Sequence, residues 1–225
     1  HNEILLNTAK SHPGANFIFA DGSKDPGIRL SGADDTKSFF ENAGVPTTND
    51  SGDKVTSDML QKLATGSYIA TCATLCLKTA LESLGGFNPQ FIAGEDRLMW
   101  LNLAAQGNAF YTSQSIAKIR YHDTNATHSK HSFKNTLSHI ELAQHLTERA
   151  DEFQLSKETV HKLHCSAKQK SEHLNRLAIR GGLKTMRMWE NHHLSDFQTR
   201  PQHLILSYLH QCINRIKQVF RHRSH

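Results

Sequence analysis

Two adjacent carboxylates, Glu95 and Asp96, stand between a double-glycine loop and an apolar segment. Gly85 and Gly86 are expected to end one helix, and the carboxylates to begin the next. Free backbone N–H groups and the helix dipole favour negative charge at a helix start, so both side chains are predicted to be ionised. An ionised carboxylate in a cleft can act as a general base. The alternative is that the pair only stabilises the first helical turn, where acidic residues are common.

The composition describes an ordinary globular chain. It has 225 residues, 37% hydrophobic and 21% charged, which suits one domain, or one domain with an appendage. A formal net charge of +5 fits an anionic ligand, an anionic membrane surface or nucleic acid without deciding among them. Lys and Arg are spread along the chain without a base-stacking aromatic motif, so nucleic-acid binding is not expected.

The cysteines form no C-x-x-C pair or common zinc pattern. We expect reduced, buried thiols of a cytoplasmic protein at Cys72, Cys76, Cys165 and Cys212. No signal peptide is visible, and no apolar run approaches the roughly 18 residues of a spanning helix. Because the first residue is His1 rather than Met, the sequence is interpreted as a fragment or a processed product.

Apolar periodicity predicts helices alternating with strands around the acidic pair, which is typical of an α/β layer. Residues 21–57 are rich in Gly, Asp, Ser, Thr and Lys and are predicted to form one long surface loop. The predicted helices cover residues 2–10, 58–64, 78–84 and 96–107, and the predicted strands cover residues 16–20, 68–77, 109–111 and 116–121.

Beyond residue 130 no strand pattern remains. A helical stripe of apolar residues runs through residues 160–177, with Lys170 interrupting it and Gly181 ending it. A last helix after Pro201 has an apolar stripe and a basic flank. It either packs on the rest of the protein or lies on an anionic membrane surface. Two interpretations apply to His161, His164, Cys165 and His173. They either ligate a metal ion or are solvated surface residues without a ligand.

Several motifs follow one another between residues 78 and 127. They are a helix leading into Gly85-Gly86-Phe87-Asn88, the pair Glu95-Asp96, a helix over residues 98–107, and Ile119-Arg120-Tyr121-His122 with Asn125 and Thr127. In this order they resemble the second half of the family 2 glycosyltransferases, which have the GT-A fold. Residues 1–20 resemble the helix and strand that follow the family's metal-binding Asp-x-Asp.

The chain departs from the family pattern at identifiable points. Asn88 stands where the family commonly has Asp, and Asn102 where it often has Arg, which leaves open whether a structural ion pair is lost. The nucleotide-binding first half and the Asp-x-Asp are missing from this sequence. The resemblance thus implies a partial GT-A (Rossmann-like) α/β sheet over residues 1–130, the acceptor-side half of the domain, and an all-α extension over residues 131–225.

The resemblance implies transfer of a sugar from a nucleotide-diphosphate sugar to an acceptor hydroxyl, with inversion. Asp96 would be the general base that takes the acceptor proton. Glu95 would orient the acceptor or hold a loop amide. The acceptor would be a carbohydrate or a lipid-linked molecule of the cell envelope. The enzyme would be cytoplasmic, or peripheral on the inner face of the membrane through its last helix.

A divalent metal ion, Mg or Mn, would stabilise the negative charge on the leaving diphosphate. His122 would be a metal ligand or a phosphate contact, with a hydrogen-bonded surface histidine as the alternative. Arg120 would contact the diphosphate, and Gly86 and Phe87 the substrate. The 225 residues alone are predicted to be inactive. The rival interpretation is a non-catalytic α/β and helical interaction module.

Overall fold

A computed structural model describes residues 2–24, 37–120 and 132–181, with side chains from 134 to 174 in the last range. The chain alternates helices and strands and then continues as two long helices, which confirms the predicted α/β class followed by helices. The helices are α1 (Asn2–Ser11), α2 (Phe39–Ala43), α3 (Ser57–Thr65), α4 (Lys78–Ser83), α5 (Glu95–Ala105), α6 (Ser132–Glu148) and α7 (Lys157–Gly181), and the strands are β1 (Phe17–Lys24), β2 (Asp53–Lys54), β3 (Thr74–Cys76) and β4 (Ala109–Ile119).

The four strands form one mixed sheet in the order β2-β4-β1-β3. Strand β1 pairs in parallel with β4 and antiparallel with β3, while β2 pairs antiparallel with β4. Strand β1 continues past Asp21 and Gly22, where a strand end was predicted. The pairing with β4 shifts register there, because the buried Asp21 carboxylate accepts hydrogen bonds from the backbone N–H groups of Gly22 (2.7 Å) and Phe40 (3.0 Å).

Three other predicted elements are corrected. The two strands predicted between residues 109 and 121 are one continuous strand, because β1 offers β4 a long parallel partner. Of the strand predicted over residues 68–77, only β3 pairs in the sheet. The residues before it form a buried connection, in which the Tyr68 hydroxyl donates to the Met59 carbonyl at 2.9 Å, and a 3-10 turn at Thr71–Ala73.

The predicted loop over residues 21–57 contains the end of β1, helix α2 and strand β2 within its described part. A reciprocal capping box between Ser38 and Glu41 starts α2, which explains how so polar a segment holds a helix. Residues 25–36, which include the acidic run at 31–35, lie outside the described residues.

Aromatic rings form the centre of the core. Phe17 stacks on Trp100 with ring centroids 5.0 Å apart, and Phe19 contacts Phe40 and Tyr111 at centroid distances of 5.9 Å. Buried leucines of α6 and α7 belong to the same core cluster, so the two long helices pack directly on the α/β layer. The predicted division into units near residue 130 stays a prediction.

The prediction of buried cysteines is wrong for the described thiols. Cys72 and Cys165 are exposed and Cys76 is half-buried, and all three are free. Cys72 lies in the 3-10 turn and Cys165 on the outer face of α7, so neither position faces the core. Cys212 lies outside the described residues. No described helix combines the length and the apolar character that a membrane crossing requires.

Candidate active site

Helix α5 begins at the predicted position. Gly94 is its N-cap residue with a φ of 85°, a conformation that favours glycine. Glu95 and Asp96 are half-buried in the first turn. One Asp96 oxygen, Oδ1, accepts a hydrogen bond from the Arg97 backbone N–H at 2.7 Å, and Oδ2 accepts one from the Thr71 hydroxyl at 3.3 Å.

Helix α6 holds the loop that leads into this turn. The buried Ser138 hydroxyl accepts hydrogen bonds from the backbone N–H groups of Ile92 and Ala93, both at 3.1 Å, and donates to the Ala93 carbonyl at 2.9 Å. The two segments approach closely, since a Cβ added at Gly94 would lie 2.7 Å from Cδ2 of Leu142. The position of the acidic pair therefore depends on α6 as well as on its own helix.

The carboxylates open into a cavity of about 470 Å³. Its walls come from the end of α3, the loop and first turn of α5, and the facing sides of α6 and α7. A cavity of this size suits a small molecule such as a sugar. Its titratable lining residues are Glu95, Asp96, Arg97, His139 and Lys170.

The Glu95 carboxyl group has a pKa above its ordinary value. Burial raises its pKa, the neighbouring Asp96 carboxylate adds to the rise, and a hydrogen bond with its own backbone N–H opposes it. The position at a helix start favours the ionised form and by itself lowers the pKa. Burial outweighs that effect for Glu95.

Basic side chains line the same cavity. Burial lowers the pKa of Arg97 to about 10, although the Asp96 carboxylate opposes this shift. Burial, followed by the charges of Arg97 and Lys170, lowers the pKa of His139 to about 4, so its imidazole is neutral at pH 7. Burial and the Arg97 charge also lower the pKa of Lys170.

The other predicted site residues do not line this cavity. Gly86 lines a smaller cavity of about 180 Å³, which Glu95 also borders. The exposed Phe87 packs edge-on against Trp100 with ring centroids 5.6 Å apart. Arg120 is exposed just after β4 and borders neither cavity. His122 lies outside the described residues, as do Asn125 and Thr127.

Asn102, one of the departures from the family pattern, lies beside a guanidinium from the turn that follows α6. The Arg149 side chain donates to the Asn102 side-chain oxygen at 3.4 Å and to Glu152 at 2.6 Å. The side-chain amide of Asn102 donates to the Leu98 carbonyl at 2.9 Å. The region is therefore polar and hydrogen-bonded, with the arginine supplied from this turn.

Sequence reasoning missed the basic residues of the cavity. Lys170 had a signal, because it interrupts the apolar stripe of α7 at a position that faces the protein. Arg97 directly follows the acidic pair, but only the packing shows that it is buried. His139 had no signal among the 16 histidines of the chain.

The proposed metal ligands of α7 do not assemble in the described part of the chain. His161 and Cys165 contact each other, with Nε2 and Sγ 3.4 Å apart, and both are exposed. Across residues 2–24, 37–120 and 134–174, no three His, Cys, Asp or Glu side chains are grouped as a metal site would require.

Comparisons of this chain with protein-family models, with curated proteins and with solved structures found no match.

Proposed function

We propose that the chain is the acceptor-side part of an inverting glycosyltransferase, with Asp96 as its general base. The observation that carries the proposal is that Glu95 and Asp96 line one open cavity of about 470 Å³ at the start of α5. The cavity can hold a sugar ring, and a carboxylate on its wall can reach a hydroxyl of the bound molecule.

The proposed step uses the carboxylate of Asp96 to remove the acceptor proton. The acceptor oxygen attacks the anomeric carbon from the side opposite the diphosphate, and the bond to the diphosphate breaks with its electron pair. The acceptor proton passes to Asp96. Each of its oxygens accepts one described hydrogen bond, and a carboxylate oxygen has two lone-pair positions, so a proton can still be taken up.

Glu95 is proposed to position the acceptor. Its burial favours the protonated form, and a protonated carboxyl group can donate a hydrogen bond to a sugar oxygen as well as accept one. The two neighbouring carboxyls would thus divide the work, one as base and one as orienting group.

The implied Mg or Mn ion has no fitting site among the described residues. They contain no group of three suitable side chains, and the proposed ligand His122 lies outside them. The remaining expectations also belong to the proposal: a nucleotide-sugar donor, a carbohydrate or lipid-linked acceptor of the cell envelope, and a cytoplasmic or inner-face location.

The test is the substitution Asp96→Asn in the full-length gene product. We expect sugar transfer to fall by about a hundredfold or more, because an amide cannot accept the proton. Binding of the nucleotide should be unchanged. Transfer is measured as the release of nucleoside diphosphate in the presence of acceptor.

The matched control is Asp58→Asn. Asp58 is also an acidic residue in the first turn of a helix, α3, where it pairs with Lys62 at 3.0 Å on the surface. Both substitutions remove a helix-start charge, but only Asp96→Asn should abolish transfer. Undiminished transfer by Asp96→Asn would overturn its role as base. Absence of transfer by the unmodified protein would favour the non-catalytic interaction module.

A further inference from the structure

Arg97 is a buried cation whose Nε–H group has no hydrogen-bond partner among the described residues. Its side chain is 8% exposed, and its Nε–H group is buried without a partner within that part of the chain. Burying an unpaired donor and a charge destabilises a protein. Arg97 nevertheless lies on the wall of the cavity, where a ligand could supply the missing acceptor.

Lys170 adds a second positive charge to the same cavity from a different helix. Its Nζ donates to the Ser166 hydroxyl at 2.6 Å, and it forms no ion pair with any described carboxylate. The two cations therefore face one cavity, and within the described part of the chain neither has an ion-pair partner. The neutral His139 lies between the same helices and offers a further polar group.

Three helices supply the titratable residues that line the cavity. Glu95, Asp96 and Arg97 belong to the first turn of α5, His139 belongs to α6 and Lys170 belongs to α7. The charge of Arg97 acts on both His139 and Lys170, and the charge of Asp96 acts on Arg97. The cavity is thus lined by two carboxylates and two cations, with Arg97 next to Asp96 in the chain.

We propose that Arg97 and Lys170 bind a phosphate group in this cavity. This inference rests on the proposed function and narrows its substrate class, because the phosphate would belong to the acceptor itself. Such a molecule would place its phosphate against the two cations and a hydroxyl against Asp96. The substrate class is then a phosphorylated sugar compound rather than a neutral sugar.

Phosphate matches this pair of residues better than a carboxylate does. A phosphate monoester carries close to two negative charges at neutral pH and can accept hydrogen bonds from several directions. The guanidinium presents donors in a planar fork, and the ammonium acts as a compact charge. The side chains of Asn135 and Ser166 also border the cavity.

The experiment follows the Arg97 Nε–H signal of the 225-residue chain by NMR. Inorganic phosphate, glucose 1-phosphate, uridine diphosphate and acetate are added in turn at constant ionic strength. We expect inorganic phosphate and glucose 1-phosphate to shift the signal saturably, and acetate to leave it in place. A shift by uridine diphosphate without one by glucose 1-phosphate would overturn the assignment of the phosphate to the acceptor.

The variant Lys170→Gln should weaken phosphate binding by about tenfold, the effect of losing one charge-assisted hydrogen bond. The matched control is Lys168→Gln, an exposed lysine on the same helix, which should bind within about twofold of the unmodified chain. Equal weakening in both variants, or in neither, would overturn the proposal.

This assay also separates the inference from the proposed function. Asp96→Asn should abolish transfer in the full-length protein, while the phosphate response stays saturable and no weaker than in the unmodified chain, because a negative charge beside Arg97 is removed. A Lys170-dependent phosphate response in a protein without transfer activity would defeat the proposed function and retain the phosphate site. Transfer activity in a protein without any phosphate response would retain the proposed function and defeat the phosphate site.

Discussion

At the scale of residues, the candidate site depends on side chains held away from their usual environments. Arg97 is buried, Glu95 is buried enough to raise its pKa, and His139 is neutral between two cations. Such perturbed groups cluster at functional sites, although structural networks also contain them. Their common cavity is the reason for assigning function here rather than to the exposed charges elsewhere.

The partly buried His139 makes a testable contribution to pH dependence. Its pKa is about 4 in the folded chain against an ordinary value of 6.5. Between these values the unfolded chain binds the proton and the folded chain does not, so stability falls as pH decreases from 6.5 towards 4. Protonation of this single group in the unfolded chain should lower the free energy of unfolding by about 2 kcal/mol when the pH falls from 7.5 to 5.

The substitution His139→Gln should flatten that dependence, because glutamine does not titrate. Urea unfolding at pH 7.5 and pH 5 measures it, and contributions from Glu95 and His145 cancel when the two proteins are compared. His173→Gln, at an exposed position of α7, is the control and should retain the full dependence. If His139→Gln and the unmodified chain lose equal stability at pH 5, the imidazole is not buried as described.

Residue types alone predicted the acidic residues of the cavity and not the basic ones. Glu95 and Asp96 are adjacent and stand at a recognisable helix start, so local signals are enough. Arg97, His139 and Lys170 come from three helices, and only tertiary packing brings them together. Burial also shifts the pKa of Glu95, Arg97, His139 and Lys170, and of these four only Lys170, which interrupts an apolar stripe, has a sequence signal for it.

At the scale of elements, helix α5 is framed by two glycines in the same left-handed conformation. Gly94 precedes it and Gly107 follows it, each with a φ of 85°. A Cβ at Gly107 would meet nothing within 4 Å, whereas one at Gly94 would lie 2.7 Å from Leu142 of α6. The two positions therefore share the backbone requirement and differ in the close approach of a second helix.

Replacing each glycine by alanine separates these effects. Gly107→Ala should lower the unfolding free energy by about 1 kcal/mol, the cost of a side chain at positive φ. Gly94→Ala should cost about 1–3 kcal/mol more, because the methyl group displaces Leu142 or moves α6. Chemical denaturation measures both. Equal losses in the two variants would show that α6 does not press on the start of α5.

The sequence was most informative about elements with local signals. The bounds of α1, α3 and α5 follow from apolar periodicity and from the glycines or polar residues at their ends. The strands were less accurate, because their lengths depend on partners that are distant in sequence. β4 is continuous only because β1 runs beside it, and β3 is short because only Thr74–Cys76 pairs with β1.

At the scale of the whole molecule, one core joins the sheet to the long helices. Leu142 and Leu146 of α6 and Leu174 of α7 are fully buried in the same cluster as Phe17 and Trp100. The cavity lies where α6 and α7 meet the start of α5, so His139 and Lys170 line it only when these two helices are in place. A change in composition near residue 130 predicted the helices, but not their contribution to the site.

The anomeric configuration of the product tests the central claim most directly. The full-length gene product would be supplied with nucleotide-diphosphate sugars of known anomeric configuration and with phosphorylated sugar acceptors, and the product analysed by NMR. Direct displacement with Asp96 as base predicts that the anomeric configuration of the transferred sugar is inverted. Retention of that configuration, or no transfer from any donor, would contradict the account.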